Sequence, residues 1–418
     1  MKTITVLTTF LTVAPIAPVA RGDETPRVAD EAFLDALRAE VRLSHPRLEA
    51  ARTREQAAAT AALGVRLWDD PVAGFSTMAA RPAMRREDGD IGFTVEQMLP
   101  RQNLYVARRA KALREVRVRA EITRAAATAV EADAASTALE LALADEVLRL
   151  RTGEVGWIEQ MAVNAREKLA DPASNAGESF RLESELARER QALHEIASRR
   201  LGLSRSLNIL LGRNVENPWP PLALPPAPAP LTESAPDWQR LARQNPELRT
   251  LHAAAEAAEA EVAVIEQERS PQLSLGADTS VYSGGSLRSG GVALKISLPW
   301  FNDRVYKTAI ERAQLESAAA GRDAEAARRN VEEEAVSALT EAKTAAEQST
   351  AYRREVIPAA DQAAEAIEAA WISSQASLLD VLDARRSALG ARLAERRFMA
   401  AHRAALENLR ALIPPALP

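Results

Sequence analysis

Pro271-Gln-Leu-Ser-Leu-Gly-Ala-Asp-Thr-Ser-Val-Tyr282 runs into Ser283-Gly-Gly-Ser-Leu-Arg-Ser-Gly-Gly291, and that into Val292-Ala-Leu-Lys-Ile-Ser-Leu-Pro-Trp-Phe301. Two alternating runs flank a Gly/Ser turn, the pattern of a β-hairpin. Leu273, Leu275 and Ala277 alternate with Ser274, Gly276 and Asp278, and Val292, Leu294, Ile296 and Leu298 alternate with Ala293, Lys295 and Ser297. A lone hairpin does not fold by itself in water. The rest of the chain is Ala-, Glu- and Arg-rich and reads as long helix, so the completion of this sheet decides the fold.

A second hairpin precedes it. Helix is expected over Ala32–Leu43 and, past Ser44-His45-Pro46, from Arg47 to about Trp68. Val72–Ala80 reads as a weak strand, Arg85–Gly89 as a charged turn, and Ile91–Met98 as a strand in which Ile91, Phe93 and Val95 alternate with Gly92, Thr94 and Glu96. Pro100 stops it. The second half repeats this order: Asn245-Pro246-Glu247-Leu248 stands 200 residues after His45-Pro46-Arg47-Leu48, and Pro271 stands 200 after Pro71. A repeat this long is an internal duplication rather than a solenoid unit. The expected organisation is a first repeat over residues 21–218, a Pro-rich connector over 219–236 and a second repeat over 237–418.

Each repeat closes with a long helical hairpin. From Arg101 to about Ala170 no proline occurs, and a helix of that length spans about 100 Å. Residues 171–177 read as its turn and Glu178–Leu211 as the return helix. In the second half helix is expected from about Asn302 to Ile372, kinked at Pro358, with Ser373-Ser374-Gln375 as the turn and a return helix ending near Ile413. Small residues at helical spacing, such as Ala363, Ala366 and Ala370, favour close packing. Helix length alone leaves a soluble coiled-coil scaffold open.

Of 418 residues 27% are charged and 4% aromatic, the net charge is −5, and cysteine is absent. That balance gives nucleic acid no foothold, and the missing cysteines exclude disulfides, thiolate metal sites, Cys nucleophiles and an N-terminal lipidated Cys. The four histidines, His45, His194, His252 and His402, lack ligand spacing, and no phosphate loop, nucleophile elbow or metalloprotease motif occurs. No cofactor is expected, and no enzyme. Residues 1–20 carry a one-Lys n-region, an apolar stretch and small residues, the pattern of a secretory signal peptide.

A secreted chain with four strands of about nine residues fits a membrane β-barrel. Four strands do not close one, and an unclosed edge in lipid costs several kcal/mol per group. Three chains give twelve strands, an even number in the known range. The Leu/Val/Ile faces then meet lipid, and Thr94, Glu96, Lys295 and Ser297 face the lumen. Trp68, just before the first strand, and Trp300 with Phe301, just after the fourth, lie at one membrane–water boundary as interface anchors. A soluble hairpin capping a helical bundle is the competing reading.

This arrangement resembles the TolC family of outer-membrane efflux channels over essentially the whole chain after the signal. The resemblance is carried by the Asn245-Pro246-Glu247-Leu248 helix start and by the strand-to-helix passages Val95-Glu96-Gln97-Met98-Leu99-Pro100 and Ile296-Ser297-Leu298-Pro299-Trp300-Phe301-Asn302. Ser377-Leu378-Leu379-Asp380-Val381-Leu382-Asp383-Ala384-Arg385 on the last helix adds the strongest match. Length and the Leu-Pro-Trp-Phe-Asn stretch are most similar to the CzcC-type channels of heavy-metal efflux. The resemblance implies a mainly α fold with membrane β: long α-helical hairpins forming a periplasmic barrel, and four strands per chain in a trimeric twelve-stranded β-barrel. It implies the outer membrane of a Gram-negative bacterium as location. The implied partners are two further copies of the chain, outer-membrane lipid, a periplasmic adaptor (membrane fusion) protein and an inner-membrane proton-driven pump. The implied activity is a passive exit duct for efflux, heavy-metal cations among the candidate cargoes; a type I protein-secretion exit duct is the alternative the same architecture serves. It also puts pore-lining acidic rings at Asp380 and Asp383, three apart on one helix face; exposed helix-start residues favoured by the helix dipole are the alternative reading of the pair, and Glu183, six residues after Gly177, is a further acidic candidate. Two departures stand out: Ser374 where the family's tip turn carries Gly, and Ala376 where some members carry a subunit-clamping Arg.

Overall fold

The computed structural model describes residues 26–78, 90–168, 176–225, 243–282, 284–373 and 375–413. The expected signal segment, the Arg85–Gly89 turn, the 171–175 turn, Ser374 and residues 226–236 of the connector lie outside them. The first half begins with β1 (Arg27–Val28), α1 (Glu31–Ser44) and α2 (Pro46–Leu63), continues with the hairpin β2 (Val72–Met78) and β3 (Asp90–Met98), and ends with α3 (Gln102–Lys168) and α4 (Ala176–Leu210). After β4 (Leu222–Ala223) the order recurs: α5 (Pro246–Glu268), β5 (Leu273–Tyr282), β6 (Leu287–Ile296), a 3-10 turn (Pro299–Asn302), α6 (Asp303–Ala351), a π turn (Tyr352–Val356), α7 (Ile357–Ile372) and α8 (Leu378–Leu412).

The matching helices of the two halves start in the same way. His45 Nδ1 accepts from Arg47 N at 3.2 Å and Asn245 Oδ1 from Leu248 N at 2.8 Å, each just before a proline at the first helical position. Proline fits there because its missing N–H has no helical partner to lose. α2 ends at Gly64, whose N–H reaches the carbonyls of Thr60 and Ala61, so the helix expected as far as Trp68 is shorter. Pro358 does more than kink the last long helix. It has no N–H and its ring excludes the carbonyl four residues earlier; the chain widens into the π turn just before it, where Ile357 N–H bonds Tyr352 O.

The four longer strands form one antiparallel sheet in the order β2-β3-β5-β6, so the two hairpins join through β3 and β5. β6 begins at Leu287, five residues ahead of the expected Val292, and β5 runs on to Tyr282. Much of the Gly/Ser stretch is therefore strand. The turn shrinks to the residues around Gly285, which holds φ 89°, and a register shift between Ser280 and Val281 absorbs the mismatch.

The helices pack on either side of α3, which touches α1, α2, α4, α5 and α8. The main core lies midway along it: Phe33, Val41, Leu139, Leu141, Leu207 and Trp219 are among its buried members. Trp219, Leu222 and Leu224, at the opening of the Pro-rich stretch, are part of this core. Trp219 meets Phe33 edge-on at 6.4 Å and donates from Nε1 to Asn208 Oδ1 at 2.8 Å, while Leu222 N donates to Asp145 Oδ2 at 2.9 Å and β4 pairs in parallel with β1. Buried charge is paired. Arg38 of α1 bonds Glu407 of α8 and reaches Glu31 at 3.0 Å, tying the chain's first helix to its last. A second core, including Ile158, Leu182, Leu378 and Leu382, gathers α3, α4 and α8 at the hairpin tips.

Trp219→Ala removes a large buried side chain and leaves Asn208 Oδ1 without its indole donor. A loss of about 3–5 kcal/mol is expected, read as a lower unfolding midpoint and faster proteolysis of the 211–225 segment; an unchanged midpoint would show that this segment is not docked.

Candidate functional site: a two-faced sheet and the helical tips

Alternation and register together sort the sheet into two faces. Cross-strand partners share a face, so Ala73, Val95, Ala277 and Val292 lie together, as do Phe75 with Phe93 and Leu275 with Leu294. These side chains are open to solvent, Val292 at 77% and Phe75 at 65%. Phe75 and Phe93 pack their rings 5.5 Å apart on that face. The opposite face carries Gly74, Ser76, Gly92, Thr94, Glu96, Ser274, Gly276, Asp278, Ser280, Gly291 and Lys295. Thr94, Glu96 and Lys295 thus fall on one face, as their spacing predicts. Lys295 Nζ meets Glu96 Oε2 at 2.5 Å, and the Ser274 hydroxyl donates to Glu96 Oε1 at 2.6 Å. Ser297 lies one residue past β6, where its N–H donates to Gln272 O and its Oγ accepts from Gln272 N, both at 2.8 Å; its hydroxyl fastens the end of the sheet.

The outer edges of the sheet, β2 and β6, each have one strand neighbour. At the end of the sheet where Val72 pairs with Glu96, the chain leaves through bends and turns bearing exposed aromatics: Trp68 before β2, and Trp300 and Phe301 in the 3-10 turn after β6. Among the described residues no helix is long and apolar enough to cross a membrane, and no group of His, Asp or Glu is placed to hold a metal ion.

At the other end of the long helices stand the acidic candidates. Ser377 caps α8, and Asp380 completes a capping box: its Oδ2 accepts from Ser377 N at 2.9 Å and Ser377 Oγ at 2.6 Å. Those two bonds hold the Asp380 carboxyl below the ordinary range. Asp383, one turn on, is exposed and accepts from Arg386 Nη1 at 3.0 Å. Glu183 pairs with Arg166 of α3 at 2.8 Å. Neither Asp380 nor Asp383 pairs with Glu183's helix directly; that link is made by residues the sequence reading did not single out. Glu185 of α4 is buried and accepts from Nε and Nη2 of Arg386, at 2.9 and 2.5 Å. Arg385 pairs with Glu368 of α7 at 2.9 Å and stacks 4.3 Å over the Trp157 ring of α3. The signal for Glu185 was present: Leu182 and Leu186, spaced to share the buried face of α4, flank it.

Residues 238–413 match the family described as outer membrane efflux protein. No curated protein matches the sequence significantly. Solved structures that share the fold include three outer-membrane proteins. The CmeC outer membrane channel of Campylobacter jejuni superposes with TM-score 0.77 at 15% identity, covering 99% of this chain and 94% of its own. The outer membrane protein VceC of Vibrio cholerae does so with TM-score 0.75 at 17% identity over 91% and 96%. The open state of the MtrE outer membrane channel of Neisseria gonorrhoeae does so with TM-score 0.74 at 17% identity over 91% and 88%. The fold is that of the outer-membrane efflux channels, long helical hairpins carrying a small sheet.

The Glu185–Arg386 pair makes the joint between the two helical hairpins pH-dependent. The hydrogen bonds from Arg386 lower the Glu185 pKa, so the pair's contribution is full above the ordinary carboxylate range of about 4.3 and is lost as the pH falls through the lowered folded value. Hydrogen exchange of residues 178–190 and 378–390 is therefore expected to speed up on moving from neutral pH to well below 4, after correction for intrinsic rates. Glu185→Gln is expected to remove most of that difference; an equal acid response in the variant would assign it to other groups.

Proposed function

We propose that the chain is one third of an outer-membrane channel, a passive exit duct through which an efflux system discharges its cargo. One observation supports this above the others: the sheet is apolar and bare on one face, polar on the other, and unpaired along both edges. Eight or more exposed apolar side chains on one face, each worth about 1.5–3 kcal/mol when buried, form a patch that water does not tolerate without a covering. A helical covering would leave the β2 and β6 edges open. Joining β2 of one copy to β6 of the next satisfies them, and three copies give a closed barrel of twelve strands. Lipid covers the apolar face, water fills the polar one, and Trp68, Trp300 and Phe301 sit at the boundary toward the helices. A soluble scaffold would expose the same face to water, which counts against that reading.

The helices then extend into the periplasm as a tunnel whose far end carries Asp380, Asp383 and, beside them, Glu183. In a trimer each position becomes a ring of three carboxylates, and such rings favour cations. The capping box occupies one oxygen of Asp380 and leaves its charge at the helix start, so both roles fit the same residue. Transport energy comes from an inner-membrane pump reached through a periplasmic adaptor, because the chain carries no nucleotide or proton-relay motif. The heavy-metal reading of the cargo rests on the Leu298–Asn302 resemblance; the pump that co-purifies with the channel distinguishes it from a protein-secretion duct.

Two experiments test this. Leu294→Arg puts a charge on the lipid face and is expected to cost about 2–4 kcal/mol near the midplane, depleting assembled protein in outer-membrane fractions, whereas Lys295→Gln assembles normally; equal defects would refute the assignment of faces. In planar bilayers Asp380→Asn/Asp383→Asn is expected to lower cation selectivity and weaken block by multivalent cations without loss of the assembled form. Wild-type selectivity and block would take both carboxylates out of the constriction.

A further inference from the structure

On the polar face of the sheet one charge stands apart. Glu96 is neutralised by Lys295 at 2.5 Å and further bonded by Ser274 at 2.6 Å. The carboxylate of Asp278, on the same face near the middle of β5, has no ion pair or side-chain hydrogen bond among the described residues. Its cross-strand partners are Thr94 on β3 and Gly291 on β6, and beyond Thr94 lies Gly74. The row across the sheet at this height is thus Gly, Thr, Asp, Gly. The carboxylate lies over Gly291, whose missing side chain makes the room: a Cβ there would stand 3.1 Å from Asp278 Oδ1. With glycine at two of the four positions, nothing in the row shields or neutralises the charge.

We infer that Asp278 sets the preference of the barrel interior for cations, a selectivity element separate from the carboxylates at the helical tips. This rests on the trimeric-channel reading. Twelve strands about 4.8 Å apart and tilted by about 40° close to a radius of about 12 Å. Carboxylates reaching inward then stand about 8 Å from the axis, within the Debye length of about 10 Å at 0.1 M salt and well outside the 3 Å at 1 M. Three uncompensated charges at that distance concentrate small cations over anions by about twofold or more at low salt, whereas the Glu96–Lys295 pairs contribute no net charge. The ligand class is a hydrated cation, metal or organic, attracted electrostatically without being coordinated.

The absence of cysteine allows a local test. Thr94→Cys places a single thiol in the row beside Asp278. Its rates of reaction with a cationic and an anionic methanethiosulfonate are measured on the assembled protein in lipid vesicles, with and without Asp278→Asn. The ratio of cationic to anionic rate is expected to fall by about twofold or more in the Asp278→Asn form at about 0.1 M salt, and the gap is expected to close at about 1 M. Asp278→Ser in the same background serves as a second variant with the same expected result. Equal ratios with and without the carboxylate overturn the inference and leave the channel reading standing. A thiol that neither reagent reaches overturns the water-filled face, and the inference with it.

Discussion

A β-sheet in a membrane has no tolerance for an open edge. Every unpaired N–H and C=O there forgoes water without gaining a partner, and this sheet has two such edges, β2 and β6. In the proposed channel the rest of the molecule follows from meeting that constraint with further copies of itself. Closure by symmetry requires the two edges to face away from each other, which the β2-β3-β5-β6 order provides. It requires the helices to leave from one end of the sheet, which the duplicated order provides: each hairpin is entered from one helix and left into another, with all four helix ends on the same side.

The helical part obeys different physics. Its seams hold few large side chains; buried alanines such as Ala134, Ala138, Ala335 and Ala342 let backbones come close, and arginine–carboxylate pairs stitch helix to helix, Arg117 to Glu256 at 2.6 Å and Arg151 to Glu189 at 2.6 Å among them. An exposed pair such as Arg117–Glu256 is worth little singly. Larger apolar clusters occur at two heights, the middle of α3 and the tips.

The sheet was legible because a period of two is hard to counterfeit: which residues share a face follows from parity, and Thr94, Glu96 and Lys295 needed nothing more. The extent of the turn was not legible, because Ser-Leu-Arg-Ser-Gly-Gly reads as loop by composition, and only pairing against β5 makes strand of it. Trp219 was hidden by its prolines, which mark an extended chain without saying what that chain packs on. Pro358 announced a break, whereas the π turn that accommodates it depends on neighbours such as Phe398, whose ring meets Tyr352 at 5.2 Å. At the tips, Ser377 and Asp380 carry the capping-box spacing openly. Glu185 and Arg386 stand 201 positions apart, a separation that no local pattern bridges.

Membrane insertion, the water-filled interior and the charge rings of the proposed channel all presuppose three copies. Native mass measurement of the protein extracted in mild detergent addresses that number directly. One dominant species at three times the chain mass is expected, holding together until the detergent is made denaturing. A stable, monodisperse monomer with its sheet intact would contradict it.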